Sequence, residues 1–133
     1  MSRLLLDTSA YAAFMAGHAS VREPVMEASE IWLNTTVLGE LLAGFKKGSR
    51  TMENERRLRD FLQEPRVLFA VMDRETAERY AVIRDHLRQA GRPVPVNDLW
   101  IAASAFQHGL RLLTLDAHFR RIPQVIVDFV GLL

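Results

Sequence analysis

The sequence predicts an α/β domain, a three-layer α/β/α arrangement around a mostly parallel central sheet of about five strands. Two observations carry that reading. Short apolar runs alternate with longer helical stretches along the whole chain, which is the pattern of strand–helix–strand units. The breaks between them fall at Gly17, Gly48, Pro65, Gly91 with Pro93, and Gly109, residues that close helices or turn the chain.

The first run, Arg3 to Leu6, is apolar after its first residue and stops at Asp7, as a central strand of a parallel sheet should. Tyr11 to Met15 suits a helix leaving that strand, with Gly17 at its end. A second strand reads from Ile31 to Thr35. Thr36 then serves as N-cap for a helix through Glu40, Leu41 and Leu42 to about Lys46. Met52 to Leu62 is a charged amphipathic helix, and Val67 to Val71 a third strand. Asp73 caps a long helix from Glu75 to Ala90. Asn97 opens the next, with Leu99, Ala102, Ala103 and Phe106 on its buried stripe. Leu110 to Leu115 forms a fourth strand stopping at Asp116, and Gln124 to Val130 a short final one.

At 133 residues the chain fits one domain, spanning 1–133, with no linker and no internal repeat. Hydrophobic residues at 49% and charged residues at 25% exclude a disordered or fibrous chain. A net charge of +1 decides nothing about nucleic acid, because only clustering of charge would. The absence of cysteine excludes disulfides, zinc–thiolate centres and thiol catalysis, and fits a cytoplasmic location. Asp7 interrupts the N-terminal apolar run too early for a signal peptide, and no run approaches the ~18 residues of a membrane span.

The acids carry the functional signal. Asp7 and Asp116 each end an apolar strand, Glu40 lies early in the helix after the second strand, and Asp98 opens the helix at Asn97. In an open α/β sheet the functional crevice lies beyond the carboxyl ends of the strands, so these acids can converge there. An acid at a strand end or helix start is, taken singly, usually a cap or turn residue. Carboxylates gathered on one rim repel one another, and a hard divalent cation relieves that repulsion. The chemistry such a centre suits is metal-assisted phosphodiester hydrolysis.

Four local sequences sharpen this. Leu4-Leu-Leu-Asp7-Thr-Ser-Ala10, the helix containing Glu40, Val94-Pro-Val-Asn-Asp98-Leu-Trp-Ile-Ala-Ala103 and Leu113-Thr-Leu-Asp116-Ala-His-Phe119 resemble the PIN-domain family. More narrowly, the chain is similar to the VapC-type toxins of toxin–antitoxin pairs. The resemblance runs through essentially the whole chain. Its most specific parts are Asn-Asp-Leu-Trp-Ile-Ala-Ala and the Thr-x-Asp-x-x-Phe segment; relatives often carry Asn or Asp where this chain has Leu115.

The resemblance implies an endoribonuclease that uses Mg²⁺, with Mn²⁺ as substitute, and a metal-activated water. It makes Asp7, Glu40, Asp98 and Asp116 the catalytic acids, with Asp7 and Asp98 the direct metal ligands and Asp116 close by or acting through water. Glu40 would orient water or help hold a second ion. Ser9 and Thr114 would brace the carboxylates, or serve only as turn and strand-end hydroxyls. The implied partners are RNA and a cognate antitoxin whose C-terminal segment blocks the cleft. A homodimer, or a toxin–antitoxin hetero-oligomer, is the implied assembly, with no membrane involved. Tyr11 to Met15 and the Leu41, Leu42, Phe45 face are candidate walls of the antitoxin groove, or simply core.

Arg120 and Arg121 follow the Asp116 turn and are the favoured phosphate contacts, whereas Arg56, Arg57 and Arg59 read as a solvated face. His118 alone of the histidines lies near the rim, where it would fix the Asp116 turn or touch substrate. Trp100 reads as packing rather than a stacking platform. A haloacid-dehalogenase-type phosphatase would want an acid where Ser9 stands, and a receiver domain an early acidic pair. The alternatives that remain are a DNA-directed nuclease and a non-catalytic PIN-like binding module.

Overall fold

Leu4, Leu5 and Leu6 are each 2% exposed or less, which seats β1 (Arg3–Leu6) in the middle of the core. The computed structural model describes residues 2–131. β1 pairs in parallel with β2 (Glu30–Asn34) on one side and β4 (Arg111–Thr114) on the other. β3 (Val67–Ala70) and β5 (Val127–Phe129) complete the sheet in the order β3-β2-β1-β4-β5, parallel throughout. The chain thus runs outward from β1 through β2 to β3, then crosses back to β4. That reversal opens a crevice beyond the carboxyl ends of β1 and β4.

The connections are helical: α1 (Thr8–Met15), α2 (Ala19–Glu27), α3 (Thr35–Lys47), α4 (Thr51–Leu62), α5 (Arg74–Ala90) and α6 (Val96–His108) flank the sheet. This is the expected three-layer α/β/α fold with five strands. α5 begins with a reciprocal capping box between Asp73 and Thr76 and ends at Gly91, whose φ of 64° suits a residue without Cβ. α6 stops the same way at Gly109, also at φ 64°. Its face of Leu99, Ile101, Ala102 and Ala105 belongs to the core, whereas Phe106 of the expected stripe is only partly buried.

Several boundaries differ from the sequence reading. Asn34, not Thr36, caps α3: its Oδ1 accepts from the Val37 amide at 2.9 Å. Asparagine is at least as good a cap as threonine, and from the end of β2 it starts the helix two residues earlier. α1 begins at Thr8, because Asp7 caps it by accepting from the Ala10 amide at 2.8 Å. α6 begins at Val96 behind Pro95, so Asn97 lies inside the helix. α2 was not foreseen. It carries Pro24 in its interior and buries only Val21 and Val25, too sparse a stripe to stand out.

Candidate functional site

Asp7 sits where β1 becomes α1, and it is held by donors from three directions. Its Oδ1 accepts from the Ala10 amide at 2.8 Å and from Ser9 Oγ at 2.7 Å; its Oδ2 accepts from Thr114 Oγ1 at 2.5 Å. Both hydroxyls also accept, Ser9 Oγ from the Leu115 amide at 3.0 Å and Thr114 Oγ1 from the Asp116 amide at 2.9 Å. A hydroxyl can donate and accept at once. Ser9 and Thr114 therefore tie the Asp7 carboxylate to the backbone that carries Asp116. Burial raises the pKa of Asp7, opposed by the hydrogen bonds from Thr114, Ala10 and Ser9, with a further upward push from Asp116.

Asp98, in the first turn of α6, faces the same crevice. Burial first, then the charges of Asp116, Asp7 and Glu40, push its pKa up to about 6, while His118 pulls it down. The charges of the other three sequence-predicted acids therefore all reach Asp98. The tightest subset is Asp98, Asp116 and His118, each offering a ligand atom within 4.8 Å of the others. Asp7 and Glu40 stand outside that subset.

Glu40 is fixed on both oxygens. Thr8 Oγ1 donates to Oε1 at 2.5 Å, and Asn97 Nδ2 donates to Oε2 at 3.1 Å. One donor comes from the first residue of α1 and the other from the first turn of α6. Asn34 links the elements below: its Nδ2 donates to Ser104 Oγ at 3.0 Å and to the Trp100 carbonyl at 3.2 Å. The cap of α3 thus holds the helix bearing Glu40 and the helix bearing Asp98 with one fully buried side chain.

The Asp116 side chain accepts from the His118 amide at 2.9 Å and so caps the 3₁₀ turn Ala117–Arg121. His118 Nδ1 lies 3.0 Å from Asp116 Oδ1 but is not aligned as a hydrogen bond. Arg121 donates to the Pro93 carbonyl at 2.8 Å, and Arg120 lies 5.1 Å over the Phe129 ring. Trp100 stacks on Tyr80 with ring centres 3.9 Å apart, which accounts for it as packing. The remaining histidines lie apart, on the cap of α2, on α5 and at the end of α6.

Sequence reasoning missed Thr8, and gave Asn97 and Asn34 no part in the site. Thr8 and Asn97 each adjoin a predicted acid, so adjacency was the available signal. Asn34 had none, because its partners lie 66 and 70 residues away. Of the expected groove walls, Phe14 and Met15 do line a cavity, but with Val25, Met26 and Phe61 of α2 and α4. Leu41 is core, and Leu42 and Phe45 pack against it.

The donor set fits a hard cation: carboxylate oxygens, one imidazole, and an Asp98 whose pKa rises first through burial and then through the repulsion of its acidic neighbours.

The PIN domain pattern matches residues 4–125. Ribonuclease VapC4 of Mycobacterium tuberculosis is 34% identical over 126 residues, covering 94% of this chain and 95% of that protein. Ribonuclease VapC of Rickettsia bellii is 33% identical, covering 97% of each. Among solved structures, VapBC2 from Rickettsia felis bound to a promoter DNA fragment aligns with a TM-score of 0.84 at 26% identity, over 96% of this chain and 98% of that one. The chain belongs to the PIN-domain family, among its VapC ribonucleases.

Proposed function

We propose that the protein is the toxin of a toxin–antitoxin pair, an endoribonuclease that hydrolyses RNA with Mg²⁺ or Mn²⁺ at the Asp7, Glu40, Asp98, Asp116 cluster. The observation that carries this is the convergence of those acids, with the pKa of Asp98 raised by burial and then by the charges of Asp116, Asp7 and Glu40. When bound, a divalent ion supplies charge neutralisation, polarises the phosphoryl oxygens and eases deprotonation of the attacking water. Asp98 and Asp116 would hold it, with Asp7 beside them on its own hydroxyl brace. His118, on the 3₁₀ turn beside Asp116, would add a nitrogen to the ligand set. Glu40, fixed through Thr8 and Asn97, would orient a water or help hold a second ion. Arg120 and Arg121 border the Asp116 turn and would steady phosphates.

The antitoxin follows from the kinship with VapBC complexes. A protein segment with apolar anchors suits the cavity of about 420 Å³ between α1, α2 and α4, where Arg57 and Arg66 are balanced by Asp60 and Glu64. Self-association into a homodimer or a toxin–antitoxin hetero-oligomer belongs to the same proposal, as does a cytoplasmic location. Among the described residues no helix is long and apolar enough to cross a membrane.

The experiment that tests this reading is identification of the product ends. With water as nucleophile, the 3′ oxygen leaves, giving a 5′-phosphate and a 3′-hydroxyl. A 2′-deoxy nucleotide at the cleaved position should slow the reaction only modestly. A 2′,3′-cyclic phosphate detected by mass spectrometry would mean that the 2′-hydroxyl attacked, and the proposed roles of the acids would fail. Parallel digestion of single-stranded DNA separates the ribonuclease from a DNA-directed enzyme.

A second expectation concerns pH. Asp98 keeps its proton more tightly in the folded than in the unfolded chain, so its contribution to stability is fully present below 3.8 and lost as pH rises through about 6. The melting temperature in EDTA should therefore fall between pH 5 and pH 7, and Mn²⁺ should restore it most at the higher pH. A metal-free midpoint that rises across this range, or a slope unchanged in Asp98→Asn, would contradict the assignment.

A further inference from the structure

A second cavity, of about 420 Å³, lies between the carboxyl end of α5, the 91–95 linker and the start of α6. Arg84, Arg88 and Arg92 line it and no acid does; its remaining walls are mainly apolar, among them Leu87, Val94, Val96 and Leu99. Arg88 alone of the three is in an ion pair among the described residues, with Asp85 at 2.7 Å, and that pair is largely exposed. Exposed pairs of this kind contribute little and exchange readily for another anion. Arg84 donates to the Tyr80 phenol oxygen at 2.9 Å.

Two features connect the cavity to the acidic crevice. Val96 and Leu99 flank Asp98 on the first turns of α6. Pro93, another lining residue, accepts the hydrogen bond from Arg121 on the turn that follows Asp116. The cavity wall is thus pinned to the turn that Asp116 caps. The other cavity, between α1, α2 and α4, balances its arginines with acids and so suits a protein segment. The all-cationic one suits a polyanion whose non-ionic parts need apolar cover.

We infer that this cavity is a nucleotide subsite: it receives a base of the RNA strand flanking the cleaved bond, while Arg84, Arg88 and Arg92 bind the adjoining phosphates. The volume lies in the range of small-ligand sites. Planar guanidiniums and an apolar floor are the means by which unstacked bases are held. The inference rests on the nuclease reading, since it takes the strand to continue from the acidic crevice.

The test is fluorescence anisotropy of a labelled single-stranded oligoribonucleotide of mixed sequence, in EDTA, across a range of NaCl concentrations. The triple variant Arg84→Ala, Arg88→Ala, Arg92→Ala should bind about 10-fold or more weakly. Its salt slope should fall by about 2, since each single-strand phosphate neutralised contributes about 0.7. Val96→Glu, which places an anion in the cavity and leaves the arginines intact, should weaken binding in the same direction. Thermal melts confirm that both variants fold. Wild-type affinity and slope in both variants would overturn the subsite. So would tighter binding of a Glu- and Leu-rich peptide than of RNA, lost in the same variants, which would give the cavity to a protein segment. Cleavage by the wild-type protein with Mn²⁺ is measured alongside. If binding behaves as expected but no cleavage occurs, the nuclease reading fails, and with it the placement beside a cleaved bond; the cavity is then an RNA-binding site only. If cleavage occurs and the variants bind normally, the subsite alone fails.

Discussion

Asp98→Asn should lower RNA cleavage by about 100-fold or more while leaving the fold intact. The substitution keeps shape and removes one negative charge from a group of carboxylates that already disfavour it. Without Mg²⁺ or Mn²⁺ the variant should melt at a higher temperature than the wild-type protein, because repulsion is relieved. With metal the order should reverse. Asp7→Asn should lose as much activity but behave differently in stability. Asp7 accepts from the Ala10 amide, Ser9 and Thr114, and an amide NH₂ would turn a donor toward one of them. Leaving such a buried group unsatisfied costs about 1–3 kcal/mol. Near-wild-type cleavage by either variant, measured at saturating metal, would show that the centre lies elsewhere. Asp116→Asn should lose cleavage as severely, because Asp116 would hold the ion with Asp98, while its stability should change little, since asparagine retains an oxygen to cap the 3₁₀ turn.

Removal of divalent metal should be as severe. In excess EDTA, cleavage should fall to background, and Mg²⁺ or Mn²⁺ should restore it. An ordinary carboxylate is too weak a base to activate water strongly at neutral pH, and no second histidine joins His118 at the rim to complete an acid–base pair. Ca²⁺, whose coordination sphere is larger and looser, should support RNA binding better than turnover. Full activity in chelator would sink the metal proposal. The fold would remain, and the acids would need another explanation.

Much of this arrangement was legible in the sequence because parallel strands bury both faces and read as apolar runs. Leu4 to Leu6 and Leu112 to Leu113 are such runs, and the acids that end them sit where the topology demands. Glu40 and Asp98 were legible through their neighbourhood motifs. What escaped was whatever depends on long-range polar partners. Asn34 looks like the last residue of a strand, yet it caps α3 and grips α6 through contacts set only by the packed structure. α2 escaped for a different reason: an interior proline lowers helix propensity, and two buried valines leave little periodic signal. The grouping of His118 with Asp98 and Asp116 needed the width of the crevice, which no spacing encodes.

The pairing of β1 with β4 has a consequence for synthesis. Asp7 and the Thr114 hydroxyl that braces it are 107 residues apart, and β4 takes its place beside β1 only after β2 and β3 have been made. A growing chain with its first three strands emerged still lacks Thr114, Asp116 and one edge partner for its central strand. It can bury apolar surface, yet it has no complete acidic centre to load. Competence to cut RNA would therefore arrive near the end of translation, with the closing of one non-local strand pair, a step that topology makes slow. An interrupted message, or a frameshift ahead of β4, would yield a chain without this activity.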